Sequence, residues 1–524
     1  MLISLKKGEV VFRNPQLFAP DTKGINLDRV LINLYKLIYA NGSQLLLPNR
    51  TKEHSMDSLK EYMNKLEEKG LVAGASANPD AVEDWLRSNL VDMVFRGDTV
   101  REKVTSLRPM HLKSFSIQNK RYNRDYNTSD QLYIMLHHCP EVLNGLRNYL
   151  VQGWDDSTGT MVDNGKVDVD TAGILYMTQG IKIQKIMGDK PDLDIKPFLE
   201  EQASLFCDDI RRLLVYQDKL PRSVFIEYLR IICGFLLGLY SMKLVYLLPK
   251  MVDAGTRDIT DDWSLVVDVT DHLDSQISQY ACADMEKLTN NYRNYVRATF
   301  IFNLVQKRNY GKSDNPDDIL AYIKNSIEQD NKNGYYEWRL GNIREKYISD
   351  HTDEADAAKT FDELLQYFPA DDYFNKFVYL LEASNLGASQ VKYLIQFIDN
   401  CCMKNSNSML LADGRSKRYP RRGVIGSKLL ETLVQLLVLH QDENNKYYTH
   451  TLSIDELTRM IYERYGLIIN GADTSRFTNA DVNTNAAFKE NMDAFKNKLR
   501  QIGFYTDLSD ATILQKIHPR YKLD

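Results

Sequence analysis

Glycine and proline are scarce, 26 and 14 in 524 residues, and apolar side chains are spread evenly along the chain. That excludes the collagen-like, mucin-like and disordered-tail classes. There are six cysteines, Cys139, Cys207, Cys233, Cys282, Cys401 and Cys402, with neither a C-x-x-C pair nor a Cys/His finger spacing. No structural zinc site is expected, and scattered thiols in apolar helical text fit a reducing cytoplasm. Net positive charge is also lacking, at −5 with a pI near 6.1. The chain as a whole is no basic nucleic-acid coat, which leaves only a local basic patch for that role. The first residues, Met1 to Lys7, lack the apolar run of a signal peptide. The most apolar stretch is Val224–Met251, whose uncharged centre, Ile231–Met242, lies between Arg230 and Lys243. Twelve helical residues span about 18 Å, against roughly 30 Å of bilayer core, so a buried core helix is expected.

The rest is ordinary globular composition, 43% hydrophobic and 26% charged. At roughly 100–200 residues per domain, the length suggests about three or four domains. Helical spacing dominates. Asn26–Asn41, Met56–Lys69 and a segment from Pro79 to about Phe95 read as three helices, equally a helix-turn-helix or any small bundle. Thr99–Thr128 is irregular and basic, carrying Arg101, Lys103, Arg108, Lys113, Lys120, Arg121 and Arg124 with Tyr122 and Tyr126 between them. It reads as a phosphate-contacting segment or as a solvated connector. Helices resume near Ser129 and again from Lys196 to about Lys307. Asp317–Ile327, Ala357–Phe368, Asp371–Ala383 and Ala388–Met403 follow. Strands are expected only near 162–170, 263–270 and 504–517.

Asn405–Arg422 reads as a linker, polar and then strongly basic. Beyond it lie a helix over Ser427–His440, a capping box at Ser453 and Glu456 opening Ile454–Tyr465, and a third helix over Asn485–Ile502. Phe504–Leu508 and Ile513–Ile517 would then pair as strands, which is the order of a winged helix. The expected fold is mainly α and multi-domain, with a C-terminal winged-helix-like domain. The boundaries are 1–125 (helical, open to a helix-turn-helix), 126–310 (helical with short β insertions), 311–405 (helical) and 406–524 (basic linker and winged-helix-like unit).

Catalytic motifs are not found. Gly159 and Gly165-Lys166 are spaced one residue too far apart for a phosphate loop, and Val167 replaces its Ser/Thr. There is neither a Gly-x-Ser-x-Gly elbow nor a His-Glu-x-x-His. Glu67-Glu68-Lys69 ends a helix. His137-His138-Cys139 points in three directions on a helix. Asp155-Asp156 and Asp261-Asp262 suit turn and cap duties. Asp268 and Asp271 are the best carboxylate candidates for a metal-dependent nuclease. No catalytic residue, metal ligand or cofactor is assigned.

The basic segment is the most informative feature. Arg415, Lys417, Arg418, Arg421, Arg422 and Lys428 place six positive charges within fourteen residues. Guanidinium forks match phosphate oxygens. The third C-terminal helix adds Lys489, Lys496, Lys498 and Arg500. Together these ten residues form a candidate DNA-binding site. The competing reading is a cationic linker lying over an acidic neighbour, beside a protein-binding winged helix.

Four C-terminal passages carry a resemblance: Ser427-Lys-Leu-Leu-Glu-Thr-Leu-Val-Gln-Leu, Tyr462-Glu-Arg-Tyr-Gly-Leu, Leu499-Arg-Gln-Ile-Gly-Phe-Tyr-Thr-Asp-Leu-Ser-Asp510 and Ile517-His-Pro-Arg-Tyr521. They resemble subunits of multigene bacterial anti-phage islands of the methylation-associated or phosphorothioation-associated kind. The resemblance covers roughly the last 100 residues and carries over no catalytic residue. It implies a cytoplasmic bacterial protein working beside ATPases, nucleases or modification enzymes. The expected function is a non-enzymatic subunit that binds DNA or bridges it to partner enzymes. A pure protein-protein scaffold and a divergent nuclease are the alternatives.

Overall fold

A computed structural model describes residues 5, 10–46, 55–94, 103–162, 167–181, 183–189, 193–308, 313–505 and 516–523. It is mainly helical, with 59% helix and 17 α-helices among the described residues. The centre is a pair of 33-residue helices, Arg222–Ala254 and Gln276–Arg308. The first is apolar on every side, as a helix buried all round must be. It is long and apolar enough to cross a membrane, yet 89% of its most apolar window is buried within the protein. Two of its glycines are contact surfaces. A Cβ at Gly234 would lie 2.7 Å from the Cys401 carbonyl oxygen, and one at Gly238 would lie 2.6 Å from Cys402 Sγ. Only glycine lets the end of the Asn385–Cys401 helix come this close.

Around this pair the chain wraps one continuous apolar core, with buried members from Val10 to Ile517. The Glu200–Val215 helix bridges it to the C-terminal unit. Arg212 donates to the carbonyls of Leu436 and Leu439, and Tyr216 donates to that of Gln435. Arg464 joins Asp208 and Asp209, and the Tyr465 hydroxyl donates to Asp209 at 2.9 Å. A separate small core gathers Met56, Leu59, Met63 and Leu66 against Leu86, Leu90, Ile174 and Met177.

Several sequence expectations change. The third N-terminal helix does not run to Phe95. It stops after Pro79–Trp85 in a π-turn, Leu86–Leu90, and Val91–Val94 pairs antiparallel with Lys103–Leu107. Where a strand was expected near 162–170, the described residues 168–170 begin a helix instead. Asp168 accepts the Thr171 amide at 2.9 Å and caps Val169–Thr178. Strands are not confined to three places, for Ser43–Leu46 pairs with Gln184–Asp189 and Leu439–Gln441 with Tyr447–Thr449. Lys516–Ile517 pairs with Leu452–Ser453. Most of the strand pair expected over 504–517 lies outside the described residues, as does Gly165-Lys166. The capping box forms as expected, with Ser453 and Glu456 each accepting the other's amide.

The glycine notch gives a direct test. Gly234→Ala should cost about 1–3 kcal/mol, because backbone must move to admit the methyl. Gly341, in a helix with nothing within 4 Å of its would-be Cβ, should instead gain about 0.5–1 kcal/mol as alanine. Urea unfolding midpoints should move in opposite directions.

Candidate anion-contacting site

The segment read as a linker is a hairpin. Leu411–Ala412 pairs antiparallel with Arg422–Gly423, and a second bridge joins Ser416 to Tyr419 at the tip. Asp413 and Gly414 turn the chain with φ of 61° and 79°. An Asp-Gly pair between apolar residues is a hairpin signal, here set between Leu410–Ala412 and Val424–Ile425.

The hairpin base is docked on the 265–271 segment. The Asp268 amide donates to the Gly423 carbonyl at 2.9 Å. A Cβ at Gly423 would lie 2.6 Å from the Val266 carbonyl oxygen. Leu265–Val266 pairs in turn, in parallel, with Leu467–Ile468. Asn491 closes the junction: its side chain accepts from Val269 N and donates to the carbonyls of Val267 and Ile469. Three distant stretches of chain thus meet beneath the hairpin.

The structure separates the cations into two sets. Arg422 is turned inward, its side chain only 3% exposed. It donates from Nε to Asp268 at 2.9 Å, from Nη2 to Asp271 at 2.8 Å, and from Nη1 to Asp413. Burial opposes its charge, but Asp268 and Asp413 hold its pKa above the ordinary arginine value. Asp268 is fully covered, and its other oxygen accepts from the Thr270 amide and hydroxyl. A guanidinium therefore sits against the carboxylate favoured for metal. Among the described residues no group of three or more His, Cys, Asp or Glu is placed to hold a metal ion. Arg421 makes a bidentate pair with Asp399, at 2.9 and 2.8 Å, which Lys404 shares at 2.8 Å. Arg421 and Arg422 are thus both engaged by carboxylates of the protein in the folded hairpin.

Arg415, Lys417 and Arg418 form the outward set at the tip, all exposed. Arg415 reaches Asp413 at 3.0 Å and lies over the Tyr419 ring at 4.7 Å, and Arg418 approaches the same ring at 5.7 Å. Lys428 is half exposed beside Glu431 at 3.4 Å. On the Val482–Gln501 helix, Thr484, Ala487, Phe488, Asn491, Met492, Phe495 and Leu499 face inward. Lys489 and Arg500 are exposed, and Lys496 is partly exposed with Asp493 at 3.7 Å. Arg500 accompanies Asn497 at 2.9 Å. Lys498 is half-buried at the edge of the hairpin base. Burial lowers its pKa from the ordinary lysine value, against the pull of Asp271 and Asp268. This helix therefore borders the 265–271 segment on which the hairpin is docked.

The other acidic candidates have local duties. Glu67 accepts the amides of Gly74 and Ser76. Asp155 accepts from Ser157, and Asp156 meets Lys113 at 2.9 Å. Asp261 and Asp262 pair with Lys243 and Lys250. In the basic N-terminal run, Arg101 lies outside the described residues. Lys113 is buried over Tyr39, which removes it from any solvated connector. Lys120, Arg124 and Tyr126 border a cavity of about 410 Å³ with Lys23 and Lys36.

A family model described as methylation-associated defense system protein MAD7 matches residues 7–521. The chain belongs to this family. Membership of a methylation-associated anti-phage defence system, first suggested by the C-terminal text, thus extends over nearly the whole length. Membership of the system suggests its other proteins as partners. No curated protein matches the chain significantly. What the sequence reading missed were the partners: Asp399 and Asp413 decide which arginines are spent internally. The Asp413-Gly414 turn was the available signal.

Arg422→Met should destabilise the protein by about 3–5 kcal/mol, because it leaves Asp268 buried without a counter-charge. Adding Asp268→Asn should recover part of that loss. Thermal and urea denaturation of the single and double variants measure both.

Proposed function

We propose that the protein is a non-catalytic subunit of its defence system that contacts the phosphate backbone of DNA and bridges it to partner proteins. The observation that carries this reading is the division of the hairpin cations. Arg421 and Arg422 fix the hairpin internally, and Arg415, Lys417 and Arg418 are held outward on an ordered tip. Lys417 and Arg418 have no carboxylate partner among the described residues. A pre-ordered cationic tip meets phosphate without the entropy cost of ordering a linker.

The neighbouring elements support a winged-helix-like reading of the C-terminal unit. Ser427–Leu437, Ile454–Tyr465 and Val482–Gln501 follow one another, and Leu452–Ser453 pairs with Lys516–Ile517. Lys489, Lys496 and Arg500 then extend the contact along the third helix. The absence of any phosphate loop or nuclease motif in the sequence leads us to expect neither ATP hydrolysis nor DNA cleavage by the isolated protein.

The test is fluorescence anisotropy with labelled duplex DNA at two salt concentrations. Arg415→Ala, Lys417→Ala and Arg418→Ala combined should weaken binding to any sequence. The log-log salt slope should fall by about 0.9 for each phosphate that the variant no longer neutralises. Folding should be unchanged, since all three side chains are exposed. If wild type and variant bind DNA equally, or neither binds, the DNA reading fails. Loss of a partner protein in pull-downs of the same variant would then support the scaffold reading.

A further inference from the structure

The basic run over Thr99–Thr128 contributes a second cationic surface. Residues between Gln118 and Asn127 border a cavity of about 410 Å³, together with Lys23 and with Asn33 and Lys36 of the Leu27–Ala40 helix. None of these elements belongs to the hairpin site.

The wall carrying the cations is anchored at several points. The Asn119 amide donates to the Thr105 carbonyl at 2.8 Å, and the amides of Tyr122 and Asn123 donate back to the Asn119 carbonyl at 3.0 and 2.8 Å. Asn33, on the helix, donates to the Asn123 carbonyl at 3.1 Å. Tyr126 and Asn127 then take left-handed backbone, with φ of 53° and 63°. A bulky residue such as Tyr adopts that conformation only where its surroundings impose it, and such strain gathers at ligand-binding sites. The Asp21 amide donates to the Tyr126 carbonyl at 2.8 Å, and the Asn127 side chain donates to Asp21 at 3.1 Å.

The charges on this wall are unbalanced. Lys23, Lys36, Lys120 and Arg124 border the cavity against one carboxylate among the described residues, Asp125. Asp125 is turned to the Ser129 amide, which it accepts at 3.0 Å. Lys120 and Arg124 are exposed and make no ion pair among the described residues. Lys23 lies over the rings of Tyr126 and Tyr393, at 5.1 and 5.9 Å from their centroids. Those contacts hold the ammonium without neutralising its charge. The amide side chains of the wall bond within it: Asn123 donates to Gln118 at 2.7 Å, and Gln118 to the Phe115 carbonyl at 2.9 Å.

We propose that this cavity binds a phosphate of a nucleic-acid backbone, as a second contact site apart from the hairpin. Ammonium and guanidinium groups converging on one concavity without carboxylate partners suit phosphate oxygens. Tyr126 is the one aromatic residue among the described lining, and Lys23 already lies over its ring. A base has no stacking platform here, so a free nucleotide would be held by its phosphates alone. A strand gripped by its backbone needs no such platform.

Fluorescence anisotropy of the full chain with labelled duplex DNA, at two salt concentrations, tests this on Lys120→Gln and Arg124→Gln combined. The pair should weaken binding at least about tenfold at about 0.1 M salt, and lower the log-log salt slope by about 0.9 for each phosphate no longer neutralised. Circular dichroism should be unchanged, since both side chains are exposed. A control pair, Lys332→Gln with Lys359→Gln, removes the same charge from exposed positions on other helices. It should change binding less than about twofold, because screening confines the effect of a distant charge. Added to the variant that lacks Arg415, Lys417 and Arg418, the cavity pair should lower the slope further, so the two sites succeed or fail separately. The proposal is overturned if the cavity pair binds duplex as wild type does, if the control pair weakens binding as much, or if no DNA binds. Calorimetry with sodium phosphate and with ATP separates the sources. Binding of either that is lost in the cavity pair, with duplex binding unaffected, would make this a free-anion site, against the nucleic-acid assignment.

Discussion

The buried contact of Arg422 with Asp268, Asp413 and Asp271 is the constraint on which the C-terminal half depends. A charge this covered must be paired or it costs several kcal/mol. Pairing it here draws together the 265–271 segment, both strands of the 411–423 hairpin and, through Asn491, the Val482–Gln501 helix. The strands at this junction are too short to stand alone. Leu265–Val266, Leu411–Ala412 and Leu467–Ile468 are two-residue strands. Their register is held by the ion cluster and by glycine at Gly423, not by strand length.

Much of the helical fold was legible from the residues. The capped helices Leu27–Ala40 and Ile454–Tyr465 appear close to where apolar spacing and cap residues put them. These signals are local, and local rules suffice for them. The long-range pairings were not legible. Val91–Val94 and Lys103–Leu107 read as helix end and connector because each strand gains its partner only across a stretch of chain. The hairpin at 411–423 read as a linker because its charge run masked an Asp-Gly turn between apolar residues. The candidate site was legible as a concentration of charge. Which charges are spent internally was not, because Asp268 and Asp399 lie 154 and 22 residues away from the arginines they bind.

That sorting changes the functional meaning of the basic segment. Counting charges in the sequence makes Arg415 to Arg422 one patch. In the fold, Arg421 and Arg422 are structural, and Arg415, Lys417 and Arg418 are presented on a fixed tip. This member of a methylation-associated defence family thus presents three cations on the tip, while Asp268, the best carboxylate candidate in the sequence, is paired with a buried arginine.

Amide hydrogen exchange over 410–426 tests the central claim most directly, that this segment is a fixed hairpin and not a linker. The amides of Gly414, Val424 and Gly426 donate to the carbonyls of Tyr419, Leu410 and Met409, at 2.8–2.9 Å. The account predicts slow exchange at Val424 and Gly426, comparable to the helices beside them, with fast exchange confined to the tip around Lys417. Exchange at unprotected rates through the whole segment would contradict it.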